Sequence, residues 1–281
     1  MKMGGVLHDY KRIILLIGEV WFYSIFCFLW VYKFEGDSLS VKEIIKAFFP
    51  TMFGQYWFFT TYVILFVFSP IINRSLLSLK NEKTYQKLLL IMFLLWSVSP
   101  TFTTVAWCSE SNIVQFVMLY TFGAYMSLFP NCWMINNNKL LLLHGIVGWI
   151  GIAVVCNVIG IWIPFFSSHA TYFYSKNSPI TIVFAIALVI FAIKNEFHNM
   201  AVNIVSQSVF AVYLLTDNAG LRGFLWDKIL RVQSHAEDKM LILWIILWSL
   251  LLFAICVLID KIRKVTIEKV FINLIRKNNN E

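Results

Sequence analysis

Long apolar runs, separated by short polar ones, dominate the pattern of this chain. A helix needs roughly 20 mostly apolar residues to cross the hydrocarbon of a bilayer. Segments of about that length fall at about 13–32, 56–73, 88–106, 112–130, 140–163, 178–193, 201–217 and 240–259. The seventh is the weakest, because Asn203, Ser206, Gln207 and Ser208 interrupt it. Polar side chains at that depth need to face other helices rather than lipid. The pattern predicts an all-α, polytopic membrane helix bundle with about eight transmembrane helices, or seven without the interrupted run. It forms one membrane domain over 1–281, with no soluble domain and no internal repeat.

Two shorter stretches have a different period. In "SLSVKEIIKAFFP" (38–50), Val41, Ile44, Ile45, Phe48 and Phe49 share one helical face. Ser40 and Glu43 offer a capping box and Pro50 ends the run. At this length the segment is predicted to lie on the outer membrane surface rather than cross it. The basic tail at 260–281 repeats the pattern from Val265 to Ile275, with cations suited to anionic lipid.

Composition agrees with this reading. Hydrophobic residues make up 59% of 281 and charged residues only 14%, against ~45–50% and ~25% in an ordinary soluble domain. So little charge cannot cover a water-facing surface. The net charge of +8 does not call for a nucleic-acid partner, since interior loops of membrane proteins collect Lys and Arg. With the N-terminus inside, 15 of the 23 Lys/Arg fall in interior segments, so both termini are predicted to be cytoplasmic. Lys2, Lys11 and Arg12 precede an apolar run that continues to Tyr32. That is too long for a signal-peptide core and predicts a retained anchor.

Candidate chemistry gathers at one face. On this topology Gln55, Tyr56 and Trp57 open the second span at the outer surface, and "VYLLTDN" (212–218) ends there too. Asp217 and Asn218 can then share a polar mouth with Gln55 and Tyr56. Trp and Tyr at a span end are also ordinary belt residues, and Asp217 also fits a solvated helix end. Ser97, Ser99, Thr101, Thr103 and Thr104 flank Pro100, where they either repair the helix or help line a site. Glu19 falls inside the first span, where a carboxylate either faces a wet cavity or is paired. His144 opens the fifth span near the inner surface and reads as an interfacial histidine. The cysteines (Cys27, Cys108, Cys132, Cys156, Cys256) show no metal-ligand spacing, so neither a disulfide framework nor a bound metal is predicted. No phosphate-binding loop, nucleophile elbow or paired-carboxylate motif occurs.

The stretch "FGQYWFFTTYVILFVFSPIIN" (53–73) resembles the signature of the acyltransferase 3 family, in which an aromatic Y-W-F opens a helix ending in S-P-x-x-N. "LYTFGAYMSLFP" (119–130) and "VFAVYLLTDNAGLRGFLW" (209–226) agree in order and spacing. The resemblance implies a bacterial cytoplasmic (inner) membrane enzyme carrying an acyl group, typically acetyl, from cytoplasmic acetyl-CoA or another acyl-CoA to an extracytoplasmic glycan. The partners it implies are membrane lipid and a surface polysaccharide or lipid-linked glycan acceptor. Gln55, Tyr56 and Trp57 would line the acceptor side. The chain departs from the family at two points. No Arg or Lys is followed by His eleven positions on, so the chain is expected to begin at the family's third helix. Thr216 stands where such enzymes often carry His before the D-N pair. Other classes that fit are a transporter, a lipid-linked-sugar handling protein and a non-catalytic membrane subunit.

Overall fold

The computed structural model describes residues 3–35, 41–102, 112–168, 172–195, 198–235, 238 and 240–268. The described helices are α1 (Met3–Glu35), α2 (Val41–Phe48), α3 (Trp57–Ser78), α4 (Glu82–Phe93), α5 (Asn112–Leu128), α6 (Asn138–Trp162), α7 (Pro179–Lys194), α8 (Met200–Ser206), α9 (Val209–Thr216), α10 (Ala219–Gly223) and α11 (Leu241–Arg263). No strand occurs among the described residues, so the all-α expectation holds. Four helical stretches are long and apolar enough to cross a membrane: Arg12–Phe34, Trp57–Ser78, Asn138–Trp162 and Leu241–Thr266. The pair Met200–Thr216 and Ala219–Ile229, bent by 78°, passes the same test as one broken span. The chain is thus a membrane protein with four or five full-length candidate spans. The described parts of the remaining sequence candidates are helical but shorter or interrupted.

The chain divides into two compact units, Met1–Thr60 with His198–Glu281, and Thr61–Phe197. In the first, α1 buries a stripe at helical spacing, with Val20, Tyr23, Ser24 and Cys27 fully buried. This stripe packs on α9 and α10, and α9 packs on α11. Of the polar residues that weaken the seventh sequence candidate, Asn203 lies within α8, Ser206 ends it, and Gln207 and Ser208 separate it from α9. Of the amphipathic segment, 41–48 is helical; Ala47 is buried while Val41, Ile44, Ile45 and Phe48 are exposed. Ser40 lies outside the described residues.

The second unit is built around Tyr85, Leu89 and Met92 of α4, Met118, Phe122 and Tyr125 of α5, and Ile182, Ile186 and Ile190 of α7. Helix α6 packs closely on α7 through Gly145, where an added Cβ would come within 3.1 Å of the Phe184 backbone. Small residues permit such approaches where lipid gives no hydrophobic drive between helices. After α4 the chain passes through a π-helical turn, Leu94–Val98, and then Ser99–Phe102. The widened turn absorbs the hydrogen bond that Pro100 cannot make. Thr101 donates to the Ser97 carbonyl at 2.8 Å and Ser97 donates to the Asn177 carbonyl at 2.7 Å. These two hydroxyls repair and cross-link the helix. Thr103, Thr104 and Cys108 lie outside the described residues.

Candidate functional site

A pocket of about 360 Å³ in the first unit carries the polar groups of the mouth. The turn after α2 forms one wall. Pro50 is fully buried and Gly54 has φ +62°, the left-handed region open to glycine. That turn presents Gln55, whose Oε1 accepts a hydrogen bond from Ser24 of α1 at 3.1 Å. Glu43 and Lys46 of α2 form a second wall, Cys27 and Val31 of α1 a third, and Asn218 and Gly220 close it. Among the described residues Lys46 makes no hydrogen bond or ion pair, so its ammonium is available to a ligand.

Asn218 organises the floor. It caps α10, its Oδ1 accepting from the backbone N–H of Gly220 and Leu221 at 3.1 and 3.2 Å. Its Nδ2 donates to the Tyr56 hydroxyl at 2.8 Å. One side chain therefore fixes both the 78° bend and the start of α3. Tyr56 is fully buried and stands behind the pocket wall. The adjoining ring Tyr213 accepts from the Phe58 backbone N–H at 3.3 Å. The first and third segments of the family resemblance are thus joined by two hydrogen bonds. In the second unit Tyr120, from the middle segment, donates to Asn73 Oδ1 at 2.8 Å, and Asn73 ends the first segment.

The predicted site residues separate into three groups. Gln55 and Asn218 line the pocket and Tyr56 supports it. Trp57 does not line it; the residue is 39% exposed at the start of α3, a position suited to the interfacial belt. Asp217 also lies off the wall, 3.8 Å from Arg222. Glu19 belongs to a separate ionic cluster.

In that cluster Arg263 donates to Glu19 at 3.1 Å and to Asp260 at 2.9 Å. Asp260 has no exposed surface and also accepts from Tyr23 at 2.9 Å. Ser208 hydrogen-bonds it as well, and Lys264 lies 2.7 Å from its second oxygen. The Arg263 guanidinium sits 5.6 Å from the centre of the Tyr23 ring. Of the two readings of Glu19, the structure displays pairing, and a cleft lined by Arg12, Glu19 and Arg263 adjoins the pair. Sequence reasoning assigned Asp260 and Arg263 to the basic tail. Their spacing of three on one helix face, at the end of an apolar run, was the available signal. It likewise passed over Lys46, read Glu43 only as half of a capping box, and gave Cys27 no role at a site.

The described cysteines Cys27, Cys132, Cys156 and Cys256 are buried and free. His144 contacts the Leu140 carbonyl one turn back on an exposed face. No group of His, Cys, Asp and Glu able to hold a metal ion occurs among the described residues. Comparisons with family models, with curated proteins and with solved structures give no match.

Proposed function

We propose that the protein is an integral-membrane O-acyltransferase of the acyltransferase 3 kind, taking an acyl group from cytoplasmic acyl-CoA to a hydroxyl of an extracytoplasmic glycan. The observation that carries this reading is the Tyr56–Asn218 hydrogen bond at 2.8 Å. It joins the two segments whose family resemblance was noted independently, and it lies at a polar pocket lined by Gln55 and Asn218. Amide and ammonium groups on such a wall suit the hydroxyls of a sugar.

Acyl transfer needs the hydroxyl proton removed as the ester C–O bond forms and the thioester C–S bond breaks, with the CoA thiolate leaving. No histidine lines the pocket, and Glu43 is its one carboxylate among the described residues. Glu43 is therefore the proposed proton acceptor. Both termini are proposed to be cytoplasmic, in the bacterial inner membrane, with eight crossings. Deleting the gene in a host that makes an acetylated surface glycan should remove the hydroxylamine-labile acetate. Restoring it with Glu43→Gln should leave acetate at background, although Glu43→Asp retains part. Undiminished acetate after deletion would sink the proposal.

The 78° bend at Asp217–Asn218 favours one other reading, since broken spans form binding sites in transporters. Accumulation of undecorated lipid-linked sugar in the deletion strain would select it.

A further inference from the structure

We propose that the second unit holds a site for one anionic phospholipid, its acyl chain in the cavity between α4, α5, α6 and α7 and its headgroup on the lysines at the start of α4 and α6. The cavity measures about 450 Å³ and its walls include Leu89, Phe93, Phe122, Trp133, Leu141 and Ile186. No lining residue among those described is charged, and apart from Gln86 and Tyr125 the walls offer a ligand apolar contact. Gln86 and Tyr125 supply the polar end, and they are already bonded. Gln86 donates to Tyr125 at 2.9 Å, and Tyr125 donates to Glu82 at 2.9 Å. With these groups satisfied, a hydrocarbon chain enters without stranding a polar atom.

Charge selects the headgroup. The segments 74–87 and 131–139 hold Arg74, Lys80, Lys83, Lys87 and Lys139, against the single acid Glu82. That acid is engaged by Tyr125 and Gln86. Lys83 and Lys87 are exposed and stand on α4 at i, i+4 and i+7 with the cavity residue Leu90. Lys139, also exposed, lies in the first turn of α6, two residues before Leu141. Trp133, on the cavity wall, is 59% exposed, as an interfacial ring would be. An apolar cleft between helices, rimmed by cations at one end, matches an anionic lipid and gives a zwitterionic one no advantage.

The test uses the full chain in mild detergent, melted with phosphatidylglycerol or with phosphatidylcholine of identical acyl chains, and native mass spectrometry of the same mixtures. Phosphatidylglycerol should be retained in preference and should raise the melting temperature more. Lys83→Gln and Lys87→Gln should each weaken it about fivefold, leaving phosphatidylcholine unchanged. Val183→Trp, which fills the cavity, should abolish retention of both lipids. Equal retention of the two lipids by the unaltered chain overturns the proposal, as does preference that survives loss of both lysines. Stabilisation by inorganic phosphate alone, equal to that by the lipid, would assign the lysines to a soluble anion instead. If a variant does not fold, the comparison of the two lipids on the unaltered chain still decides the matter.

Discussion

Arg263 shows how tightly single residues are constrained inside this protein. It is 7% exposed and answers Glu19, 13% exposed, and Asp260, fully buried. Removing one partner of a buried ionic group leaves an uncompensated charge, which costs about 3–5 kcal/mol. Arg263→Ala should therefore lower the unfolding free energy in detergent by about that amount, measured against denaturant. Glu19→Gln keeps an oxygen acceptor for Arg263, so its cost should be clearly smaller; equal losses would mean that the Glu19 charge, and not the hydrogen bond alone, holds the pair. Asn218→Ala should cost about 1–3 kcal/mol, because it removes an α10 cap and a buried bond to Tyr56 together. Tyr56→Phe removes only the second and should cost less in the same measurement. At this scale the sequence marked Glu19 as out of place for its depth and drew Gln55, Tyr56 and Asn218 to one face. It did not pair Glu19 with a residue 244 positions away, because local periodicity holds no record of which helix faces which.

Among the elements, α2 is the clearest case of a helix whose pattern declares its place. One side buries Ala47 against the unit and turns Glu43 and Lys46 to the pocket, while Ile44, Ile45 and Phe48 remain 39–49% exposed. Eight residues cannot cross a bilayer, since they rise only about 12 Å. The apolar face therefore belongs in the interfacial layer, and the pocket wall is attached to it. A spin label on Phe48→Cys should be relaxed by oxygen more than by a water-soluble nickel chelate, and a label on Lys42→Cys the reverse. Phe48→Asp should loosen α2 and reduce acetate transfer more than it reduces the melting temperature. Other elements were less legible. The run at 88–106 reads as one span, yet Pro100 and a preceding π-helical turn divide its described part. The run at 201–217 is broken by the change from α8 to α9 and continues past its end into a bent pair. Hydropathy counts side chains and is blind to where a backbone bends.

The whole molecule adds a parity argument. Glu19 lies at the centre of α1, in the first half of its apolar span Arg12–Phe34, and Arg263 ends α11; they are 3.1 Å apart. Tyr23 and Asp260, each further along its helix toward the other end, meet as well. Two such rungs make α1 and α11 antiparallel. With both helices crossing, as proposed, the start of α1 and the end of α11 share a side of the membrane, and the number of crossings from one to the other is even. Four full-length spans satisfy that condition, and adding the bent pair alone does not. Eight crossings follow if the bent pair crosses and the helices at 82–102, 112–128 and 179–194 cross too, which is the count read from hydropathy. Reporters fused at Met1 and after Glu281 should both be active only in the cytoplasm. Accessibility of single cysteines placed at 79, 131 and 197 then separates four crossings, which put 197 outside, from eight. On eight crossings all three face the cytoplasm and resist a membrane-impermeant maleimide applied to intact cells. Labelling at 131 from outside would mean that 82–102 and 112–128 do not both cross, and would remove the eight-span topology while leaving the antiparallel pair intact.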